Sequence, residues 1–204
     1  MKKVYILILV ALFTICNVQA QKAKITQGSL GVLKGETELH FEFDYSKVQV
    51  DGLTETNFVN KKAKEMNKEK KGSGDEFKEK WENSKETLFN KRLVEDVNKE
   101  LTDFNLVAGE FEDANYKAVV KSVLIYPGYI AGPFSKPATV TATVSIVKMD
   151  NSAVVAVMTI KEAKSGSMDL SAVFSGLEFR VGAAYSAVGE AIGEAIVKAL
   201  KKAK

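Results

Sequence analysis

Two stretches of this chain alternate apolar and polar residues with a period of two, and a strand of that kind must find a second layer to cover its apolar side. Within 36–50, Leu39, Phe41, Phe43 and Tyr45 point one way while Glu38, His40, Glu42 and Asp44 point the other. Further on, Val140, Ala142, Val144 and Ile146 share a face opposite Thr139, Thr141, Thr143 and Ser145. Such strands carry core on one side and water on the other. Asp51-Gly52 breaks the first run, and Asp150-Asn151 is a tight-hairpin signal between 139–149 and another β-rich stretch at 153–161. Strands are also expected at 30–33, 106–111 and 116–126. The last is apolar on both faces through Val119, Val120, Val123 and Leu124, which places it centrally in the sheet.

Helical stripes supply the covering layer. From 54 to 71 the apolar positions are sparse (Phe58, Val59, Ala63, Met66), which predicts a shallowly docked, mobile helix. Gly72-Ser73-Gly74 interrupts it, and Ser73 with Glu76 has the spacing of a capping box. Phe77, Trp81, Leu88, Leu93, Val97 and Leu101 then recur at helical spacing, so Trp81 belongs to the core rather than to a ligand platform. A Gly- and Ser-containing loop around 165–175 leads to a final helix over 177–202, with Val181, Tyr185, Val188, Ile192, Ile196 and Leu200 as its apolar stripe. Lys198, Lys201 and Lys202 fall in its last turns, where the helix dipole favours cations. Beside the stripe runs a seam of small residues, Gly182, Ser186, Gly189 and Gly193, expected to pack closely onto the sheet. Arg180, Glu190 and Glu194 interrupt the apolar run and argue against a membrane span. The fold class expected is α+β, a mostly antiparallel sheet of about five strands with two or three helices on one face and a long C-terminal helix.

The chain opens on Lys2 and Lys3, an apolar run over 4–15, and Val18-Gln19-Ala20. That is the pattern of a secretory leader, and the run is shorter than the ~20 residues that span a bilayer. Two segments are therefore expected, a signal peptide at 1–20 and a single α+β domain at 21–204. Cys16 is the sole cysteine, and Ile15 before it stands where a lipobox needs a small residue, so lipidation is not expected. The processed chain then holds no thiol and must be stabilised by its core. The expected address is exported: periplasmic, or extracellular and outer-membrane-associated.

The formal charge of +3 includes both leader lysines, so the remainder is close to neutral. In 61–103 the signs alternate closely, as in Lys68-Glu69-Lys70 and Glu76-Phe77-Lys78-Glu79-Lys80. Solvated helix faces with i,i+4 pairs explain this, and no nucleic-acid partner is expected. His40 is the sole histidine and shares a strand face with Glu38, Glu42 and Asp44, a set conceivable for a weakly held cation. A flat strand face seldom converges on one point, and structural zinc wants four ligands, so no metal, cofactor or catalytic residue is assigned. Ser165-Gly166-Ser167 is a loop signal, and Gly189 to Gly193 lies inside a helix rather than at a strand-to-helix turn. A hydrolase would have to use carboxylates, as glycosidases do.

One segment stands apart. Residues 126–137 join two strands, hold all three prolines (Pro127, Pro133, Pro137), and place Tyr126, Tyr129, Ile130 and Phe134 on or near an exposed tip. Apolar groups on a prolyl-stiffened loop bind with little entropy loss, so Tyr126, Pro127, Tyr129, Ile130, Pro133 and Phe134 form the candidate interaction loop. The opposing reading is that the loop folds back and caps the core.

The leader ending Ala20-Gln21, the stretch Lys34-Gly35-Glu36-Thr37-Glu38-Leu39, the Pro127-Gly128-Tyr129 turn followed by Lys136-Pro137-Ala138, and the glycine-rich closing helix resemble uncharacterised secreted proteins of Bacteroidetes-type bacteria over nearly the whole processed chain. More distantly, the strand-strand-helix end is similar to the periplasmic domain of curli-secretion-channel-like envelope lipoproteins, from which this chain departs in lacking a lipobox. The resemblance implies a cell-envelope protein and supplies no catalytic residue. The function expected is a non-enzymatic envelope protein that binds an envelope protein or self-associates, with peripheral membrane contact as a further option. The alternative is a small-molecule or carbohydrate binder, or a carboxylate-dependent hydrolase, in a cleft between the sheet and the 54–71 helix.

Overall fold

The computed structural model describes residues 23–131, 134–164 and 176–203. The expected leader, the loop expected around 165–175 and Pro133 lie outside the described residues. The chain forms β1 (Lys24–Gly28), a 3-10 turn (Leu30–Leu33), β2 (Glu38–Asp44), β3 (Gln49–Val50), β4 (Leu53–Thr54), α1 (Glu55–Glu69), α2 (Ser73–Ser84), a π-helical turn (Lys85–Asn90) and α3 (Lys91–Glu100). There follow β5 (Val107–Gly109), β6 (Tyr116–Tyr126), β7 (Tyr129–Ala131), β8 (Phe134–Lys136), β9 (Thr139–Lys148), β10 (Val154–Lys164) and α4 (Leu177–Lys202).

The sheet differs from the one expected. Among the described residues it has eight strands and is mixed, in the order β1-β10-β9-β6-β2-β5, with β3 also beside β6 and β4 on β3. β10, β9 and β6 pair antiparallel, but β2 runs parallel to both β5 and β6. The reason is the connection. Parallel strands need a long crossover, and α1 to α3 supply it between β2 and β5. β6 is central in strand order as expected, but only one of its faces is covered, and Val123 of its apolar run is exposed on the other. Residues 30–33, expected as a strand, form the 3-10 turn, capped by the Ser29 hydroxyl accepting from the Gly31 amide.

The alternation sets the core. Leu39, Phe41, Ala142, Val144 and Ile146 are buried on one face of the sheet and meet Leu93, Val97, Val181, Val188 and Ile192 from α3 and α4. Asp51 and Gly52 have φ of 52° and 75°, the left-handed pair that a tight hairpin between β3 and β4 demands.

α1 buries only Phe58 and Ala63, so it is shallowly docked and leans chiefly on α2. The capping box does not form. Gly72 precedes α2, and the Ser73 hydroxyl instead donates to the carbonyls of Met66 and Lys70 at the end of α1. Asn67 Oδ1 accepts from the amides of Gly72 and Gly74, which ties the α1–α2 turn.

Two further corrections concern helix faces. The π turn inserts an extra residue into the helical repeat, so Phe89 is buried where regular spacing nominated Leu88, and Leu93 and Val97 follow in the shifted phase. The small-residue seam of α4 meets α3 rather than the sheet. A Cβ on Gly189 would stand 2.2 Å from the Leu93 carbonyl oxygen, so glycine lets the two backbones touch. The apolar stripe of α4 packs against β9 and β10.

Candidate functional site

Among the described residues, β7 and β8 pair antiparallel and stand off the main sheet as a separate two-stranded sheet, a hairpin that follows Tyr126, the last residue of β6. Its pairs are Tyr129 with Lys136, Ile130 with Ser135, and Ala131 with Phe134. Side chains alternate across a strand, so Tyr129, Ala131, Phe134 and Lys136 share one face and Ile130 and Ser135 the other.

The neck of the hairpin is fixed. Pro127 is buried and its carbonyl accepts from Arg180 Nε of α4 at 3.3 Å. Burial pushes the Arg180 guanidinium below its usual range, against the opposing influence of Glu178. Gly128 has φ +65°, and a Cβ there would lie 2.3 Å from the Lys136 carbonyl oxygen, so the strands pass each other at a distance only glycine permits. The Lys136 ammonium sits 4.5 Å from the centroid of the Tyr126 ring, within cation–π range. Ala138, just beyond, is buried.

Past the neck the hairpin is open. Phe134 is 72% exposed and Tyr129 48% exposed, while Ile130 is half-buried. Between this hairpin and α1 lies a cleft of about 210 Å³. Phe58, Pro127 and Leu177 give it apolar surface, Tyr126 and Tyr129 form the hairpin wall, and Asp51, Lys61, Lys62 and Glu65 give it charges of both signs. Lys62 pairs with Glu65 at 3.5 Å. The sequence led to the expectation of a cleft between the sheet and this helix and marked Phe58 as one of its apolar positions, but assigned none of Phe58, Lys61, Lys62 and Leu177 to a cleft. No local pattern marks them, because the cleft joins elements about 70 and 120 residues apart in the chain.

The polar face of β2 lies on the open side of the sheet and is arranged differently from a metal site. Glu42 pairs with Lys117 at 2.6 Å, and Asp44 with Lys121 at 3.7 Å, both lysines belonging to the adjacent β6. Hydrogen bonds from Ser46 hold the Asp44 carboxyl below its usual range, with Lys121 adding to the effect. His40 Nδ1 accepts from the Phe111 amide at 3.0 Å, and Glu38 lies at the β5 side of the strand. Among the described residues no group of three His, Cys, Asp or Glu side chains is arranged to hold a metal ion.

A partly buried polar cluster is not marked by any pattern in the sequence. Glu55 accepts from Trp81 Nε1 at 2.8 Å and from Lys85 at 3.1 Å. Nearby, Tyr45 donates to Asn90 at 2.7 Å, and the hydroxyls of Tyr185 and Ser122 lie 2.6 Å apart. Burial pushes both tyrosines well above the ordinary tyrosine value, and each phenol lies close to the other. Lys85 is held above its usual range: burial opposes this, and hydrogen bonds to Glu82 and Glu55 outweigh it. Every fully buried side-chain polar atom among the described residues has a hydrogen-bond partner, and this cluster ties the π turn to α1 through Glu55 and to the end of β2 through Tyr45, and joins α4 to β6 through Tyr185 and Ser122.

Among the described residues no helix is long and apolar enough to cross a membrane. No family model and no curated protein matches the chain. Among solved structures it is similar to the dodecamer of a PelC variant from Paraburkholderia phytofirmans, with 14% identity and a TM-score of 0.37 over 84% of this chain and 96% of that one. A second PelC dodecamer from that organism gives 11% identity and a TM-score of 0.38 over 83% and 97%. Protein XCC0632 from Xanthomonas campestris gives 17% and 0.34 over 54% and 62%. Likenesses at these values show no family membership.

Proposed function

We propose that the protein is an exported, non-enzymatic envelope protein that acts by binding a partner through the 126–137 hairpin. One observation carries this reading: a large aromatic side chain, Phe134, is 72% exposed at the tip of a hairpin whose neck is locked to the domain. A fixed neck lowers the ordering cost of binding, and exposed apolar surface on a soluble domain marks contact sites. The pairing of the β2 carboxylates with lysines of β6 supports a surface role for that face rather than a reactive one. The leader supports an address outside the cytoplasm.

The test is the double variant Ile130→Ser with Phe134→Ser, expected to fold as the parent does, because neither side chain belongs to the buried core. Partner recovery by cross-linking from intact cells is expected to be lost. Recovery of the same partners by the double variant contradicts the proposal. The second reading, a small-molecule or carbohydrate binder, is favoured by the cleft beside α1, where Tyr126 and Tyr129 face Asp51 and Glu65. Saturable shifts of the Tyr129 ring resonances by simple sugars, in protein that still captures no partner, would favour it instead.

A further inference from the structure

The hairpin carries both a knob and a hole. Phe134 projects at its tip, and the cleft against α1 opens at its base, where Tyr129 is a wall. The two lie on the same face of the hairpin, because Tyr129 and Phe134 sit at alternate positions of the paired strands. Phe134 does not line the cleft of its own copy. It stands two strand steps, roughly 7 Å, further out.

A knob and a hole side by side on one element are self-complementary under a two-fold axis. When two hairpins cross, the tip of each reaches the base of the other, and both contacts form together. We infer that a second copy of this chain is the partner, with Phe134 of each copy seated in the α1 cleft of the other. This rests on the reading of the hairpin as a contact surface and names what it contacts.

Three observations favour this occupant. A two-stranded sheet without a covering layer is marginal in water, and β7–β8 is such a sheet, with five of its six residues exposed; a second hairpin laid across it supplies the missing layer. The cleft volume of about 210 Å³ falls below the ~300–1,000 Å³ usual for drug-sized ligands and suits one aromatic ring entering over Phe58 and Pro127. The rim also offers the knob's face a counter-charge: Lys136 shares that face, and the rim carries Asp51, which has no ion-pair partner among the described residues, together with Lys61 and the Lys62–Glu65 pair. An interface built on one hairpin and one cleft belongs to the small class, so the dimer is weak and depends on concentration.

The test uses the protein recovered after export and processing, in which introduced thiols are the only ones. Sedimentation equilibrium is expected to show the mass rising with concentration from one chain to two and no further. Phe134→Ser, with unchanged circular dichroism, is expected to remain a single chain. Independently, Ala131→Cys protein, which keeps Phe134 and carries its thiol beside it on the same face, mixed with Lys61→Cys protein is expected to form a mixed disulfide under mild oxidation in excess of either self-pair. A single chain at every concentration, a dimer indifferent to Phe134→Ser, growth beyond two chains, or absence of the mixed disulfide overturns the inference. If the purified protein is monomeric while cells yield a different protein captured through Phe134, this inference fails and the proposed function stands. If no capture depends on the hairpin, both fail.

Discussion

At the scale of single residues, the pair Tyr45 and Tyr185 makes the clearest statement about stability. Tyr185 is fully buried against Phe89, with ring centroids 5.1 Å apart and planes 7° from parallel, and its hydroxyl meets Ser122 inside the core. Burial holds both tyrosines above the ordinary value, so the unfolded chain loses these protons near pH 10 while the folded chain keeps them. Above about pH 10 the folded state therefore binds more protons, and stability falls as pH rises; below that value neither phenol contributes a slope. Each tyrosine can cost about 1.4 kcal/mol per pH unit. Urea unfolding on either side of pH ~10 is expected to show that Tyr45→Phe and Tyr185→Phe each flatten the alkaline decline. A decline of equal steepness in the double Phe variant would count against the cluster. Little of this was visible in the sequence. Tyr185 could be placed on the apolar stripe of its helix, and Trp81 in the core, because a helical period reveals which residues face inward. Which polar atoms they meet was hidden, since Ser122 lies 63 residues from Tyr185 and Glu55 lies 26 from Trp81.

At the scale of elements, the contact between α3 and α4 depends on the absence of a side chain. Replacing Gly189 by Ala would improve helix propensity by up to about 1 kcal/mol. The new Cβ, however, would stand 2.2 Å from the Leu93 carbonyl oxygen, which belongs to backbone and cannot swing aside. The clash wins, and Gly189→Ala is expected to destabilise by about 1–3 kcal/mol. Gly182→Ala is expected to cost less, because its nearest neighbours are the atoms of the Leu88 side chain, which can turn. Thermal or urea denaturation of the two variants checks the order; equal stability of Gly189→Ala and the parent would contradict the packing described. Element identity was the most legible level. The alternation of β2 and β9, the Asp51-Gly52 turn, the hairpin at Asp150-Asn151 and the span of α4 follow from period and turn chemistry. What failed were features that depend on partners. The seam of α4 has the same sequence whether it faces a sheet or a helix, and a period of 3.6 carried through 85–90 selects Leu88 because it assumes no π insertion. Likewise, nothing within β2 announces that its neighbours β5 and β6 run parallel to it.

At the scale of the whole molecule, the fold divides its duties. One face of a mixed sheet is covered by α3 and α4, with α2 packed beside them, and holds the core, while the other carries paired charges and β-branched residues in water. The hairpin takes no part in that core: its strands form their own small sheet, joined to the domain at the Pro127–Gly128 neck. Prolines and aromatics clustered in twelve residues made the segment conspicuous in sequence, whereas the cleft at its base depends on α1 folding back beside it. The central claim is that this hairpin is where the protein meets its partner. A photoreactive phenylalanine analogue placed at position 134 and activated in intact cells tests it most directly, with the analogue at the exposed Glu79 of α2 as the comparison. The expected result is a discrete cross-linked product from position 134 and none from position 79. Equal labelling from both positions, or none from 134, would contradict the account.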